Sequence, residues 1–344
     1  MKIAILGPDN TDKCFGGVGT FDSGLNDDFI SKGHDSRIFS RCYNKGKQKL
    51  SRLNFFLSFI KAPKNILDFN PELVIASLEY TLLIMILKKK LPNTKFITVL
   101  HGFPTYRYSF RKRYLLLNIL RKARKHSHLV VSNSKLTALI NNEIYGIKTD
   151  LIIYLGLKEK YIDYNKIKSD EIVFLYVGRL VQEKNVDLVC QLYLILEPFY
   201  KNSRLDIVGD GPEYDKLSQK FKRNNIIFHG KKSREDTLDF YKRSKVFISL
   251  NPHEPFGLVY LEALINKCKI ICPDTGGQTE YLMNNKNSYF INIYDMKNSL
   301  ESLNNFITQD FDEDLEDFFQ YYSFDRIATD YVRAYKKISE GENV

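Results

Sequence analysis

Long apolar runs are missing from this 344-residue chain. The longest strongly apolar stretch, Leu82-Leu83-Ile84-Met85-Ile86-Leu87, falls far short of the ~20 residues that a membrane-spanning helix needs. The amino terminus enters a short apolar strand and then Gly7-Pro8, too brief for the apolar region of a signal peptide. Neither membrane spanning nor secretion is expected. Cysteine is also scarce: there are five, with no Cys-x-x-Cys pair, which argues against a disulfide framework or a zinc site and suits a reducing cytoplasm. Cys268 and Cys272 read as core residues around one strand.

Acidic residues are sparse in the first half. Residues 1–168 hold 29 Lys and Arg against 13 Asp and Glu, while 169–344 hold 22 against 28, within a total of +10. The basic excess concentrates in Lys45 to Lys64, around Phe55-Phe56-Leu57, and in Arg107 to Lys125, interleaved with Tyr114-Leu115-Leu116-Leu117. No recognition motif ties this charge to nucleic acid, which is not an expected partner. Basic amphipathic segments suit an anionic membrane surface, where each cation near the headgroups contributes roughly 1 kcal/mol. Peripheral attachment to the inner face of the cell membrane is therefore expected, the plainer reading being a solvated basic helix face.

Apolar runs alternate with helical spacing along the whole chain. Strands are expected near 2–6, 36–40, 73–77, 96–100, 128–132 and 151–154, then near 172–177, 204–208, 226–228, 246–250, 269–272 and 289–291. This is the α/β pattern of doubly wound parallel sheets, given twice. Expected domains are 1–165, 166–320, and a carboxyl-terminal helix over 321–344 that crosses back to the first domain, with a polar link at Tyr161 to Asp170.

The most informative stretch is His253-Glu254-Pro255-Phe256-Gly257-Leu258-Val259-Tyr260-Leu261-Glu262. It follows a buried strand and opens a helix, whose unpaired N–H groups and dipole favour an anion while Glu254 can reach a neighbouring hydroxyl. A matching junction, Gly178-Arg179-Leu180-Val181-Gln182-Glu183-Lys184, supplies a guanidinium that can fork onto a phosphate and an ammonium that acts as a point charge. Near the start, strand 2–6 leads into Gly16-Gly17-Val18-Gly19-Thr20, and strand 96–100 delivers His101-Gly102. Later strand ends carry Gly209-Asp210-Gly211-Pro212 and His229-Gly230, and a turn follows at Asp274-Thr275-Gly276-Gly277-Gln278.

Taken in order, these landmarks resemble the retaining glycosyltransferases of family 4, which have the GT-B fold: two Rossmann-like domains facing across a cleft that holds a nucleotide sugar. The resemblance covers most of the chain. It implies catalytic roles for His101 toward the donor sugar, for Arg179 and Lys184 toward the diphosphate, and for Glu254 toward sugar hydroxyls. It also implies a donor-binding surface from Gly16, Gly17, Gly209, Gly230, Phe256, Gly257, Leu258 and Val259, with Glu262 on the ribose. Each has a plainer alternative: tight turns for the glycines, a packing role for His101, surface ion pairs for Arg179 and Lys184 with Glu183 as a candidate partner, and a helix cap for Glu254. Ser132-Asn133-Ser134 reads equally as an acceptor contact or a helix cap, and Glu280 as structural.

The resemblance further implies transfer of a hexose or N-acetylhexosamine with retention. No residue of the matched motifs is an obvious nucleophile, so front-face attack is favoured over double displacement. No cofactor or metal is required. Asp310-Phe311-Asp312 and Asp312-Glu313-Asp314 fit a metal-binding Asp-x-Asp pattern but read as a solvated acidic helix face. A uridine diphosphate sugar is the first candidate donor by family frequency, guanosine forms next, and a lipid-linked glycan for a bacterial surface polymer is the expected acceptor. A glycoside hydrolase is disfavoured, because eight helical residues would hold Glu254 and Glu262 about 12 Å apart, beyond the roughly 5–9.5 Å such enzymes use. The other rival is a catalytically silent GT-B subunit that binds a partner. Tyr260 is bulkier, and Gln278-Thr279 more polar, than the family pattern.

Overall fold

The computed structural model describes residues 1–8, 17–40, 63–103, 109–157, 171–312 and 315–342. They form two compact units, Met1–Gly156 with Tyr322–Val344, and Leu157–Tyr321. The polar link expected at Tyr161 to Asp170 lies outside the described residues.

The sheet of the first unit contains Lys2–Leu6 (β1), Asp35–Phe39 (β2), Leu73–Ser77 (β3), Lys95–Leu100 (β4), Leu129–Ser132 (β5) and Leu151–Ile152 (β6), in the order β2-β1-β3-β4-β5-β6. The second contains Ile172–Val177 (β7), Ser203–Val208 (β8), Ile226–Gly230 (β9), Val246–Ile248 (β10), Lys269–Pro273 (β11) and Ser288–Ile291 (β12), in the order β12-β11-β10-β7-β8-β9. Every pairing in both sheets is parallel. Parallel strands are covered by helices on both faces, so they read as continuous apolar runs rather than alternating ones. All residues of β3 and of β11 are buried accordingly.

Strand order fixes where ligands bind. In an open parallel sheet the crevice lies outside the carboxyl ends of the strands, where the winding direction reverses. That reversal falls between β1 and β3 in the first unit and between β7 and β10 in the second.

The last helix, Phe324–Glu340, belongs to the first unit. Ser323 caps it by accepting from the Arg326 N–H at 3.3 Å. Phe324 lies over Gly24 of the helix Gly17–Ser31, where an added Cβ would meet its ring at 2.3 Å. Burying such a ring contributes roughly 1.5–3 kcal/mol, and only glycine leaves room for it here.

The helix Phe110–His126 carries part of the basic excess. Leu120 and Ala123 face the core, whereas Phe110, Tyr114 and Leu115 are 74%, 60% and 62% exposed. Two of its cations have structural partners: Arg124 meets Asp150 at 2.7 Å, and Arg121 donates to the Tyr145 carbonyl at 2.9 Å. In the other basic segment, residues 45–62 lie outside the described residues. No helix among the described residues is long and apolar enough to cross a membrane.

Candidate functional site

The second unit's switch point gathers the chemistry. β7 ends at Val177, and the next residues are stitched to neighbouring strand ends by backbone hydrogen bonds. Gly178 N–H donates to Val208 O at 3.0 Å, Gly209 N–H to Gly230 O at 2.9 Å, and Leu180 N–H to Asp210 O at 3.0 Å. A Cβ on Gly209 would lie 1.8 Å from the Gly178 carbonyl, and its φ of +145° already favours glycine. Gly209 is thus required by close backbone approach, while Gly230, at φ +66°, has open space where a Cβ would stand. Tyr176 supports the turn from beneath, its hydroxyl donating to Arg179 O at 3.1 Å. The Arg179 side chain is exposed, and its guanidinium has no hydrogen-bond or ion-pair partner among the described residues.

Lys184 ends a single helical turn, Gln182–Lys184. The next residue, Asn185, is left-handed at φ 50° and donates through Nδ2 to Leu250 O at 2.9 Å, tying this turn to the end of β10. Lys184 Nζ consequently reaches Glu254 Oε2 at 2.5 Å, with side chains 21% and 12% exposed. Asn251 Nδ2 donates to the same oxygen at 2.8 Å. Burial pushes the Glu254 carboxyl up, but the Lys184 charge and hydrogen bond, the Asn251 donor and Arg179 together outweigh it, leaving the group below its ordinary value. The partner of Lys184 is therefore Glu254, seventy residues away in sequence, with Asn251 completing the pair.

Glu254 itself precedes the helix, which runs from Leu258 to Ile265. The two glutamates are therefore not set eight helical residues apart, as the sequence pattern implies. Their partners separate them instead, since Glu262 accepts from Arg234 at 2.9 Å and from the Tyr241 hydroxyl at 3.2 Å. Burial raises the Glu262 carboxyl, opposed by the Arg234 charge and the Tyr241 hydrogen bond.

The loop into that helix is clamped from both sides. Gly257 has φ +91°, and a Cβ there would lie 2.5 Å from the Tyr260 ring. The bulk of Tyr260 is spent in the core: it is fully buried, and its hydroxyl donates to Ser249 O at 3.1 Å. Gly277 N–H donates to Glu254 O at 2.7 Å, and a Cβ on Gly277 would meet Pro255 O at 2.0 Å. Phe256 is buried with its ring 5.1 Å from that of Tyr281, whose hydroxyl donates to Gly257 O at 2.8 Å. Phe256 and Leu258 thus turn their side chains inward, while Val259 is partly exposed.

In the first unit Gly16 lies outside the described residues, and Gly17 opens the helix Gly17–Ser31. His101 follows β4. Its Nε2 is 3.0 Å from Ser77 Oγ, which is 3.4 Å from Asp22 Oδ1. Phe21 packs edge-on at 5.3 Å, and burial holds the imidazole down to about 4. Asn133 Nδ2 donates to His101 O and Asn141 Nδ2 to Gly102 O, each at 3.1 Å. Asp22, Ser77 and Asn141 were not singled out from the sequence. The one visible signal was Asp22 lying three and seven residues before Leu25 and Phe29 on a buried helix stripe.

Among the described residues no group of three or more His, Cys, Asp or Glu gathers as metal ligands. Asp312 meets Lys286 at 2.8 Å, and residues 313–314 lie outside the described set.

Two Rossmann-like doubly wound units, each with polar groups at its switch point, define a protein of the GT-B fold. Residues 158–323, just under half of the chain, match the family described as Glycosyl transferases group 1. Among curated relatives, alpha-monoglucosyldiacylglycerol synthase of Acholeplasma laidlawii is 31% identical over 131 residues, covering 37% of this chain and 33% of that protein. The capsular polysaccharide biosynthesis glycosyltransferase CapM of Staphylococcus aureus is 26% identical over 162 residues, covering 45% and 40%. The matched segments thus span less than half of these relatives' length. Among solved structures, sucrose-phosphate synthase from Thermosynechococcus elongatus superposes with a TM-score of 0.81 at 15% identity, covering 99% of this chain and 100% of that one. Anabaena Alr3699/HepE in complex with UDP gives 0.70 at 15% identity, covering 98% and 100%. Similarity at this level establishes the fold.

Proposed function

We propose that the protein is a retaining, metal-independent glycosyltransferase that moves a hexose or N-acetylhexosamine from a nucleotide sugar, a UDP-sugar first, to a glycan or lipid-linked acceptor in surface polysaccharide or glycolipid assembly. One observation carries this reading: Arg179, Lys184 and Glu254 converge at the carboxyl ends of β7 and β10, beside the start of the helix Leu258–Ile265. The UDP held by the Anabaena protein and the glycolipid product in the Acholeplasma relative's name support the donor and acceptor classes.

Arg179 forks onto the diphosphate and Lys184 bridges it to Glu254, so positive charge meets the negative charge that grows on the leaving group. Backbone N–H groups at the helix start add donors. Glu254 accepts from a sugar hydroxyl and His101 contacts the donor sugar. The acceptor hydroxyl attacks the anomeric carbon from the face that the diphosphate leaves. Its proton passes to the departing phosphate oxygen as the sugar–phosphate bond breaks, so configuration is retained without a protein nucleophile. The two cations do the work a divalent ion would otherwise do, and turnover is expected to persist in chelator.

The exposed Phe110, Tyr114 and Leu115, with Arg111 and Arg113 on the same helix, are proposed to seat the protein on an anionic membrane at the cytoplasmic face. Incubation with a panel of nucleotide sugars, reading released nucleoside diphosphate, tests the reading. Release with at least one donor, reduced about ten- to hundredfold in Arg179→Ala, is expected. No release with any donor would refute it.

A further inference from the structure

The first unit's switch point holds a buried polar chain that the proposed chemistry leaves unexplained. Asp22 is fully buried. Its carboxyl occupies space that Gly7 leaves open, since a Cβ on Gly7 would lie 1.9 Å from Oδ2. Oδ2 has no hydrogen-bond partner among the described residues, and Oδ1 has only Ser77 Oγ, 3.4 Å away. Ser77 Oγ is in turn 3.0 Å from His101 Nε2, and His101 Nδ1 has no partner among the described residues. The three side chains come from the helix Gly17–Ser31 and the carboxyl ends of β3 and β4.

A serine hydroxyl has one proton, so the chain must run in one direction. In one direction Nε2–H donates to Ser77 and Ser77 to Asp22 Oδ1, which leaves Asp22 either ionised, with one long hydrogen bond and no cation beside it among the described residues, or carrying its proton on Oδ2, where no acceptor lies among the described residues. In the other, the Asp22 acid proton is donated to Ser77, and the Ser77 proton to Nε2. Every group is then neutral, and the imidazole proton sits on Nδ1. Burying an uncompensated carboxylate costs far more than burying the acid, and burial indeed pushes the Asp22 carboxyl well above its ordinary value.

We propose that Asp22, acting through Ser77, is the positioning residue that holds His101 as its Nδ1–H tautomer, so that Nδ1–H is the hydrogen-bond donor offered to an oxygen of the bound donor sugar. The sugar contact rests on the transferase reading above; the tautomer does not. Asn133 and Asn141 hold the carbonyls of His101 and Gly102, so the chain sets a further variable, which ring nitrogen carries the proton.

Nitrogen-15 spectroscopy of the histidine rings in the full chain, without donor, reads the tautomer directly, with His101 assigned by loss of its signal in His101→Gln. Wild type is expected to show Nδ1–H. Ser77→Ala and Asp22→Leu are expected to shift it toward Nε2–H, while Asp22→Asn, whose amide can donate to Ser77 as the acid does, restores Nδ1–H. If Asp22→Leu does not fold, Ser77→Ala and Asp22→Asn still decide. An Nε2–H ring in wild type, or an unchanged tautomer in Ser77→Ala, overturns the proposal. With an active donor, Ser77→Ala is expected to lower kcat about tenfold, the loss of one neutral hydrogen bond, with KM changed less. Failure of turnover with every donor would count against the transferase reading and leave the ring measurement standing.

Discussion

Replacing Lys184 by methionine should invert the acid response of the second unit. In the native protein Glu254 lies below its ordinary value because Lys184, Asn251 and Arg179 overcome the effect of burial. A carboxyl depressed in the folded state adds stability above its unfolded value, near 4.3, and that stability is lost as pH falls through the folded value. With Lys184 gone, the burial effect dominates and the carboxyl rises above its ordinary value. The folded variant then takes up a proton at Glu254 before the unfolded chain does, so lowering the pH from about 6.5 to 4.5 stabilises the variant relative to wild type, while the depressed His101 costs both proteins alike. Removing one partner of a fully buried pair costs about 3–5 kcal/mol. With the side chains 21% and 12% exposed, solvent screening reduces this to about 1–3 kcal/mol at pH 7. Chemical denaturation across that range measures both effects. Parallel pH profiles for the two proteins would refute the reasoning, as would a variant that loses nothing at pH 7.

Other substitutions probe separate parts of the structure. Gly209→Ala forces a Cβ against the Gly178 carbonyl at φ +145° and should cost at least about 2 kcal/mol in a urea titration; a loss under 0.5 kcal/mol would show that the strand ends do not touch. Lys269, 2% exposed, has its ammonium held down to about 8 chiefly by burial, with Lys245 adding to the effect. The folded protein sheds this proton before the unfolded chain does, so stability should rise with pH between about 8 and 10.5. Lys269→Met should remove that rise and stabilise the protein at pH 7 by about 1–3 kcal/mol, after allowing for the hydrogen bond to Phe306 O; equal slopes would contradict this. Phe110→Ser with Leu115→Ser should reduce flotation with anionic liposomes at least about tenfold, since each apolar side chain buried is worth roughly 1.5–3 kcal/mol, and unchanged flotation would remove the membrane reading.

Much of the fold was legible because parallel strands announce themselves. Ile172–Val177 is apolar throughout and bounded by a glycine, and the structure places the strand there. β6, expected over 151–154, shortens to Leu151–Ile152, since an edge strand pairs on one side only. Pairing between distant residues was not legible. Lys184 and Glu254 meet only because β7 and β10 are neighbours, an order that no local pattern encodes. Arg234 reaches Glu262 across 28 residues for a similar reason, and Asp22, Ser77 and His101 come together only at the first sheet's switch point. Gly209 was visible as a glycine but not as the neighbour of Gly178, because close approach of two backbones leaves no trace in either segment alone.

The most direct measurement is calorimetric titration of UDP and UDP-sugars into wild type and Arg179→Ala. Saturable heat with wild type, and affinity about ten- to hundredfold weaker in the variant, is the predicted outcome. Equal affinity in both proteins, or no heat with any nucleoside diphosphate or its sugars, would contradict a diphosphate grip at the ends of β7 and β10.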